Sequence, residues 1–343
     1  MLRFWFIGLS MLVCFWVKAD QYYIDPSKGK DSNPGTRQLP LKTLNEAARR
    51  VNDLKSSGPT EIILTAGTHL LTGTVVFNNN KYTAEQRLVI RAEINPDDTA
   101  WSPDKMPVII VIAPMAPGGG GIEARGIQTE VSHATIEGIK FLGSPDYTYL
   151  NAKESRRTYP IWRDGESLVD LVVAQCLFAG DADVLPLHVG VIANGHGVVL
   201  DHCVFYNCKN PVVFWKAENG TSNGDAMRYC LVYGCYKSGV WTTSATNGEN
   251  FDFHNNVIAG SNITWMREGA GMYIAKNSLF AGNASLVEPG AANFLTLENV
   301  RVDTTISVRI EKDQSKRNYL QLASDSPGAG LGAGLFRYAS SRR

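Results

Sequence analysis

A short strand-like motif recurs along this chain, and its spacing constrains the fold more than any other feature. The motif appears six times, with its second residue at Ile139, Cys176, Cys203, Cys230, Asn256 and Ser278. The sequence numbers of successive positions differ by 37, 27, 27, 26 and 22. A repeat of about 25 residues predicts a solenoid with one coil per repeat. Apolar residues alternate around each position as they do in strands, so we expect stacked coils of parallel strands.

Five cysteines obey the same spacing. Cys203-x4-Cys208 recurs one repeat later as Cys230-x4-Cys235, and Cys176 lies one repeat before Cys203. Equivalent residues of neighbouring coils lie about 4.8 Å apart, so disulfides Cys203–Cys230 and Cys208–Cys235 are within reach. Side-by-side parallel strands seldom give the torsion that a disulfide needs. We therefore predict free thiols buried inside the coil.

Turn-forming segments such as AGDAD, TNGEN and AGSN separate the strands. Their Asn, Gly and Asp residues tolerate left-handed backbone, which suits the corners of a coil. The longest repeat step contains extra residues within SPDYTYLNAKESRRTYP, residues 144–160, which we expect to form a loop. Four consecutive glycines occur in residues 101–124, but no Gly-Lys-Ser/Thr follows, so we interpret that stretch as a flexible corner and not as a phosphate site.

One amphipathic helix is predicted before the first coil. Thr43-x-x-Glu46 matches a capping box. Apolar residues then recur on one helical face: Leu44, Ala47, Ala48, Val51 and Leu54. The open end of a solenoid exposes its core and its strand edges. We expect this helix to cover the first coil, at residues 60–71.

Two terminal segments resemble a known superfamily. YYIDPSKGKDSNPGTRQLPLKTLNEAA at residues 22–48, followed by EIILTAGTH at 61–69, resembles the start of exported proteins of the pectate-lyase-like superfamily. YLQLASDSPGAGLGAG, at residues 319–334, is similar to an ending common in that group. The resemblance implies an all-β fold, a single-stranded right-handed parallel β-helix with an N-terminal amphipathic capping helix. It does not fix the activity, because lyases, glycosidases, epimerases and sugar-binding proteins share this fold.

The N-terminal segment, residues 1–19, has the pattern of a signal peptide. An apolar run from Phe4 to Val17 is followed by Lys18 and Ala19, which suits cleavage after Ala19. The run is short for a membrane span. We predict a secreted or periplasmic protein without a membrane span.

Charge and repeats suggest one domain. The 33 basic residues balance the 33 acidic residues, which gives no electrostatic footprint for nucleic acid. We divide the chain into a signal peptide (1–19), an N-terminal strand, turn and capping helix (20–59), parallel β-helix coils (60–310) and a C-terminal cap or tail (311–343). We expect a monomer.

Aromatic and charged residues recur in the second half of the coils. One column of equivalent positions contains Trp162, His188, Trp215, Trp241 and Trp265, and charged residues beside it include Arg163, Lys216, Glu218, Arg267 and Glu268. In one interpretation this column lines a groove where aromatic faces stack on sugar rings and the cations attract carboxylates or sulfates. In the other, the tryptophans form an interior stack, because a one-residue slip reverses the faces of a strand.

Cleavage of an acidic polysaccharide by β-elimination is our leading prediction. The reaction needs a base and a group that neutralises the uronate carboxylate, and the resemblance implies Lys or Arg and often Ca²⁺ in these roles. Lys216 and Arg267 are candidate bases or electrostatic partners, and His188 is a third candidate base. Asp181 and Asp183 alternate suitably to hold Ca²⁺. We predict no organic cofactor.

Hydrolysis and binding without cleavage are the alternatives. A glycosidase needs two carboxylates about 5 to 9.5 Å apart. Glu218 and Glu268 lie two coils apart, about 10 Å if they are in register, and Asp164 or Glu166 could pair with a neighbour instead. We expect a polysaccharide partner in all three cases.

Overall fold

The structure is a computed structural model that describes residues 19–55, 58–114, 116–118, 121–145 and 156–338. All of the predicted signal peptide except Ala19 lies outside these residues, as does most of the predicted loop at 144–160. The first strands are β1 (Asp20–Ile24), β2 (Thr60–Leu64), β3 (Thr68–Leu71), β4 (Val75–Phe77), β5 (Leu88–Ala92), β6 (Val108–Val111), β7 (Ala116–Gly118), β8 (Gly121–Thr129) and β9 (Ala134–Glu137). The next are β10 (Lys140–Leu142), β11 (Arg156–Arg163), β12 (Val169–Ala174), β13 (Leu177–Ala179), β14 (Val189–Ala193), β15 (His196–Asp201), β16 (Val204–Tyr206), β17 (Asn210–Phe214) and β18 (Ala226–Arg228). The last are β19 (Leu231–Tyr233), β20 (Ser238–Thr242), β21 (Asp252–His254), β22 (Val257–Ala259), β23 (Ile263–Arg267), β24 (Tyr273–Lys276), β25 (Leu279–Ala281), β26 (Leu295–Glu298) and β27 (Arg301–Asp303).

These strands form three sheets, and each coil contributes successive strands to successive sheets. Sheet 1 has the order β1-β2-β5-β9-β12-β15-β18-β21-β24-β26. Sheet 2 has the order β3-β6-β10-β13-β16-β19-β22-β25-β27, and sheet 3 has the order β4-β8-β11-β14-β17-β20-β23. Strands pair in parallel, except that β7 pairs antiparallel with β8. The chain is a right-handed parallel β-helix, as predicted.

Inward side chains of the three sheets meet in one hydrophobic core. Stacked phenylalanines illustrate the coil spacing, because the Phe141 and Phe178 rings lie 4.9 Å apart and the Phe178 and Phe205 rings lie 4.7 Å apart. The C-terminal coils fill the interior with a larger aromatic cluster that includes Phe253 and Trp265, whose ring centroids are 4.7 Å apart. The core therefore extends along the whole coil axis.

The recurring motif is the corner between sheets 1 and 2. One residue with positive φ makes each turn: Gly138, Gln175, His202, Tyr229, Asn255, Asn277 and Asn299. In the first six of these turns the following residue is buried: Ile139, Cys176, Cys203, Cys230, Asn256 and Ser278. The corner between sheets 2 and 3 repeats this arrangement at Asn207, Gly234, Gly260 and Gly282, which precede the buried Cys208, Cys235, Ser261 and Asn283. All five described cysteines are free and buried, which confirms that prediction.

Helix α1 (Leu44–Asp53) covers the first coil, as predicted. Four of its apolar side chains are buried: Leu44, Ala47, Ala48 and Val51. The Thr43 hydroxyl accepts a hydrogen bond from the Glu46 amide at 3.2 Å. The other half of the capping box is replaced, because the Thr43 amide donates to Asp31 Oδ1 at 2.9 Å while the Glu46 carboxylate pairs with Arg49 and Arg50. Within the described part of the chain, no helix is long and apolar enough to span a membrane.

Residues 304–338 form a segment that we call the C-terminal strap. It packs on the outer face of sheet 2, where Leu320, Leu335 and Phe336 join a second hydrophobic cluster. Outward residues of five coils belong to that cluster: Leu177, Val204, Leu231, Val257 and Leu279. The strap thus covers a face that would otherwise expose a continuous apolar ridge to water.

Candidate functional site

A pocket of about 390 Å³ lies on the outer face of sheet 3. We call it the sheet 3 pocket. Strands β8, β11, β14, β17 and β20 carry most of it. The described lining residues are Glu123, Arg125, Arg157, Tyr159, Trp162, His188, Val189, Ile192, Val213, Trp215, Lys216 and Trp241.

The floor of the pocket is aliphatic and its walls are aromatic. Val189, Ile192 and Val213 form an outer cluster separate from the main core. At one side the rings of Tyr159 and Trp162 meet edge to face at 5.1 Å. At the other side Trp215 and Trp241 meet edge to face at 5.5 Å. Such a surface suits the apolar face of a sugar ring, with polar groups at the rim.

Strand register decides which tryptophans reach this pocket. Trp162 is paired with Ile192, and Val213 is paired with Trp241. Trp241 in turn is paired with Met266, whereas Trp265 is paired with Val240. Trp265 is fully buried in the core, and its indole Nε1 donates to Thr242 Oγ1 at 3.0 Å. The prediction that Trp265 binds substrate is therefore wrong, because the last coil is offset by one residue.

Arg163 also points inward, which corrects its predicted role in substrate binding. Its side chain is 0% exposed, and Nη1 donates to the His196 carbonyl at 3.1 Å. Burial lowers the Arg163 pKa to about 10. Burial also raises the pKa of the nearby Asp225 carboxyl to about 6, although the Val198 amide donates to it at 2.9 Å. These two groups lie in the interior near the corner between sheets 3 and 1, where each charge favours the charged form of the other.

His188 and Lys216 are the predicted catalytic residues that the structure places in the pocket. The Lys216 side chain is 58% exposed, and its Nζ lies 3.9 Å from Glu166 Oε1. His188 is almost completely buried, and its pKa is lowered to about 3. Burial is the main cause, followed by the positive charges of Lys209, Arg157 and Lys237. His188 is therefore a neutral imidazole at neutral pH.

The other predicted site residues do not belong to the described lining of the pocket. The Arg267 guanidinium lies 4.4 Å from the Phe294 ring centroid and donates to the Gly271 carbonyl at 2.9 Å, which corrects its predicted catalytic role. Glu218 and Glu268 are exposed beyond the ends of β17 and β23. Neither carboxylate is placed to act in this pocket.

Asp181 and Asp183 lie in an exposed turn. Asp181 Oδ1 accepts hydrogen bonds from the amides of Asp183 and Val184, both at 2.9 Å. Among the residues described, no group of three or more His, Cys, Asp or Glu side chains is arranged to hold a metal ion. Binding of Ca²⁺ at this turn stays a prediction.

Besides the three aliphatic floor residues, four polar or aromatic lining residues are absent from the set that the sequence predicts: Glu123, Arg125, Arg157 and Tyr159. The sequence pattern of the stretches that contain them favours a flexible corner and a loop. Instead, β7 pairs antiparallel with β8, and β11 already begins at Arg156. The outer position of Arg125 on β8, paired with Tyr159 on β11, is the available signal, because these strands continue the column that contains Trp162.

Arg125 is held rigidly at one end of the pocket. Its guanidinium carbon lies 3.7 Å from the centroid of the Trp162 ring. Nε and Nη2 donate to Glu123 Oε1 at 3.2 and 2.8 Å, and Nη1 donates to Gln128 Oε1 at 3.3 Å. Asp164 Oδ2 lies 3.7 Å from the same guanidinium. This end of the pocket combines a cation with two carboxylates.

Tyr159 lies between Trp162 and His188. Its ring meets the His188 ring edge to face, with centroids 5.7 Å apart. Burial raises the pKa of the Tyr159 hydroxyl. The pocket thus places a protonated phenol beside a neutral imidazole.

Comparisons with known proteins bear on the fold. No protein-family model and no curated protein matches this chain. A GH136 lacto-N-biosidase from Eubacterium ramulus is similar in structure, with a TM-score of 0.52 and 10% identity over 83% of this chain and 68% of that chain. A mannuronic-acid-specific polysaccharide family 6 lyase from human gut microbiota has a TM-score of 0.51 and 11% identity, over 83% of this chain and 59% of that chain. The chain spans less than two thirds of that lyase, and the likeness shows the shared right-handed parallel β-helix fold.

Proposed function

We propose that this chain binds an acidic polysaccharide in the sheet 3 pocket and cleaves it by β-elimination. The observation that supports the proposal most directly is that the pocket has aromatic walls and that more cationic than anionic side chains line it. Arg125, Arg157 and Lys216 line the pocket with one carboxylate, Glu123, while Asp164 and Glu166 lie outside the lining within 4 Å of Arg125 and Lys216. Aromatic faces favour sugar rings, and guanidinium and ammonium groups favour carboxylates.

His188 is the base in this proposal. It removes the proton from the ring carbon next to the uronate carboxylate, and the electron pair left behind forms the new C=C bond as the bond to the glycosidic oxygen breaks. Arg157 and Lys216 face the uronate carboxylate and stabilise the charge that develops on it. Burial is the main cause of the lowered His188 pKa, and the bound carboxylate opposes the second cause, the positive charges of the neighbouring cations.

Tyr159 is the proton donor in this proposal. The leaving glycosidic oxygen needs a proton, and burial keeps the Tyr159 hydroxyl protonated at neutral pH. Tyr159 lies beside His188, so a substrate on the pocket floor meets both groups. The proton removed by His188 and the proton supplied by Tyr159 balance the reaction.

Several accompanying features belong to the same proposal. The signal-peptide pattern of residues 1–19 supports export to a secreted or periplasmic location. Both structurally similar proteins act on carbohydrate according to their names, which supports a carbohydrate-active role for the shared fold. We also propose a monomer, and Ca²⁺ bound with the substrate carboxylate is tested together with activity.

The test is a panel of acidic and neutral polysaccharides, assayed with and without chelator. We expect an acidic glycan to give the ultraviolet absorbance of an unsaturated uronate. We expect His188→Gln and Tyr159→Phe each to lower kcat by about 10²- to 10⁴-fold. Arg301→Ala, on the exposed edge strand β27, is the matched control and should keep full activity. Cleavage that persists unchanged in both pocket variants would remove them from the mechanism.

Hydrolysis is the second candidate, and one contact favours it. Glu123 and Asp164 approach opposite nitrogens of the same Arg125 guanidinium, which keeps their carboxylates within about 9.5 Å, the limit for glycosidase pairs. Hydrolysis would release reducing ends without ultraviolet absorbance and would be abolished by Glu123→Gln. A protein that retains the glycan and releases neither product is a binding protein.

A further inference from the structure

We infer that the sheet 3 pocket accepts the end of a glycan chain and not an internal stretch. The inference rests on the proposed glycan-binding function of the pocket and adds its mode of action. Its basis is a closed wall at the side of the pocket that faces the N-terminal coils.

The wall consists of Arg125 lying over Trp162. With the guanidinium carbon 3.7 Å from the ring centroid, the Trp162 face that could stack on a sugar is already occupied. The guanidinium is bound through Nε and Nη2 to Glu123 and through Nη1 to Gln128. Hydrogen bonds at both edges of the planar guanidinium fix its position. A sugar chain that crosses this side of the pocket would have to break these hydrogen bonds.

Backbone pairing changes along the same side. Strand β4 pairs only with the end of β8, at 127–129. The beginning of β8, at 121–123, pairs instead with β7 in an antiparallel hairpin. Sheet 3 therefore continues in parallel toward the N-terminal coils at 127–129, in the row that contains Trp162, whereas at 121–123 the neighbouring strand is the antiparallel β7.

The opposite side is different. Trp215 and Trp241 are half-buried, and in the described part of the chain no cationic side chain lies over either ring. Their faces are the ones left for sugar stacking. A glycan bound in the pocket therefore extends over these two rings, with its terminal unit at the Arg125 wall.

The size and chemistry of the pocket fit a terminal unit. A volume of about 390 Å³ is at the lower end of the range of roughly 300 to 1,000 Å³ typical of small-molecule sites. At the wall, Glu123 supplies an acceptor and Arg125 supplies donors. Hydroxyl groups that only a chain terminus possesses can bond to both.

Binding stoichiometry tests this inference without relying on cleavage. Short, medium and long size fractions of polymannuronate and polygalacturonate would be titrated into His188→Gln by calorimetry, and into Tyr159→Phe as a second slow variant. End binding predicts one protein per glycan chain at every length. A ratio of proteins per chain that rises with chain length overturns the inference and leaves the proposed function standing. Failure of every acidic glycan to bind overturns both.

Opening the wall provides the second arm. In Arg125→Ala we expect more than one protein on each long chain, because internal stretches can now cross the pocket, while Arg301→Ala keeps the wild-type ratio. Where a fraction is cleaved, the wild-type protein should release one small product from the first minutes onward, and Arg125→Ala should release a mixture of sizes. A mixture from the wild-type protein, or a ratio unchanged by Arg125→Ala, contradicts the role assigned to the wall.

Discussion

Small hydrogen-bond donors line the inside of both repeated corners. Cys203 Sγ donates to the Val173 carbonyl at 3.3 Å, and Cys230 Sγ approaches the Leu200 carbonyl at 3.7 Å. In the next coil Asn256 Nδ2 donates to the Met227 carbonyl at 2.8 Å. Each side chain reaches a carbonyl of the preceding coil. The thiols are therefore corner residues that satisfy buried backbone, and Asn or Ser fills the same position elsewhere.

This role predicts unreactive thiols. Burial raises the pKa of Cys176, Cys208 and Cys230 well above the ordinary value, so we expect a thiol reagent to leave the folded chain unmodified. In denaturant, without reductant, the chain that lacks the predicted signal peptide should titrate five thiols. A titre of one thiol would instead reveal two disulfides. Cys203→Ser, which keeps a donor, should cost less than Cys203→Val, whose loss of the bond costs about 0.5 to 1.5 kcal/mol.

Burial of the Asp225 carboxyl leads to a prediction about pH. The folded-state pKa of Asp225, about 6, is higher than its ordinary value of 3.8. Protonation of Asp225 therefore stabilises the folded state, and this contribution is present below pH 3.8 and lost as the pH rises through 6. A shift of this size corresponds to about 3 kcal/mol. In Asp225→Asn the free energy of unfolding should no longer fall between about pH 4 and pH 7 through this group.

His188 has the opposite effect on the pH dependence of stability, so its contribution must be measured separately from that of Asp225. Its folded-state pKa, about 3, is below the ordinary 6.5, so its contribution to stability is present above pH 6.5 and is lost as the pH falls. Urea unfolding across this pH range should therefore be compared in Asp225→Asn, His188→Gln and the double variant. If Asp225→Asn and the wild-type chain show the same pH dependence, the internal carboxyl does not titrate as inferred.

At the level of the strand, a difference of one residue in register decides whether a tryptophan lines the pocket or packs in the core. Trp241 points into the sheet 3 pocket, whereas Trp265 on the adjacent β23 points into the core. We expect Trp241→Ala to weaken glycan binding at least tenfold with little change in the free energy of unfolding. Trp265→Ala should lower that free energy by about 3 to 5 kcal/mol. Calorimetry and urea unfolding measure the two effects, and the reverse pattern would show that the register is wrong.

The same strands show how much a sequence can predict. The spacing of the corner motif is enough to predict the coil, because a left-handed residue and an inward small residue must recur together. The spacing cannot predict whether Trp265 points inward or outward. A small difference in step length changes the strand register, and no feature of the neighbouring sequence indicates that change. Arg163 departs from the pattern for another reason: its buried guanidinium donates to the carbonyl of His196, a residue 33 positions away that only the folded coil brings close. The sequence does not predict Arg157 and Tyr159 as site residues, because the polar residues around them have the pattern of a loop and not of a strand.

At the scale of the molecule, the C-terminal strap joins distant coils. Arg337 pairs with Glu137 at 2.7 Å, and Arg317 donates to the carbonyls of Pro96 and Asp98 at 3.1 and 3.0 Å. Phe336 packs edge to face on Trp101 with ring centroids 5.4 Å apart. The strap therefore ties early coils to the last residues described.

Removing the key side chain of the strap should expose the outer face of sheet 2. We expect Phe336→Ala to lower the free energy of unfolding by about 3 to 5 kcal/mol and to increase binding of a hydrophobic dye. Tyr338→Ala is the matched control, because that side chain is 62% exposed and should change stability by less than about 0.5 kcal/mol. Equal effects of the two substitutions would mean that the strap adds little to stability.

The position of the strap in the sequence has a consequence for how the protein is made. Every described coil precedes the strap in the sequence, so the apolar outer face of sheet 2 stays uncovered until the strap has docked on it. A chain that lacks the strap would form coils with an exposed apolar face and would be prone to self-association. Docking of the strap is therefore the folding step that removes this risk of aggregation.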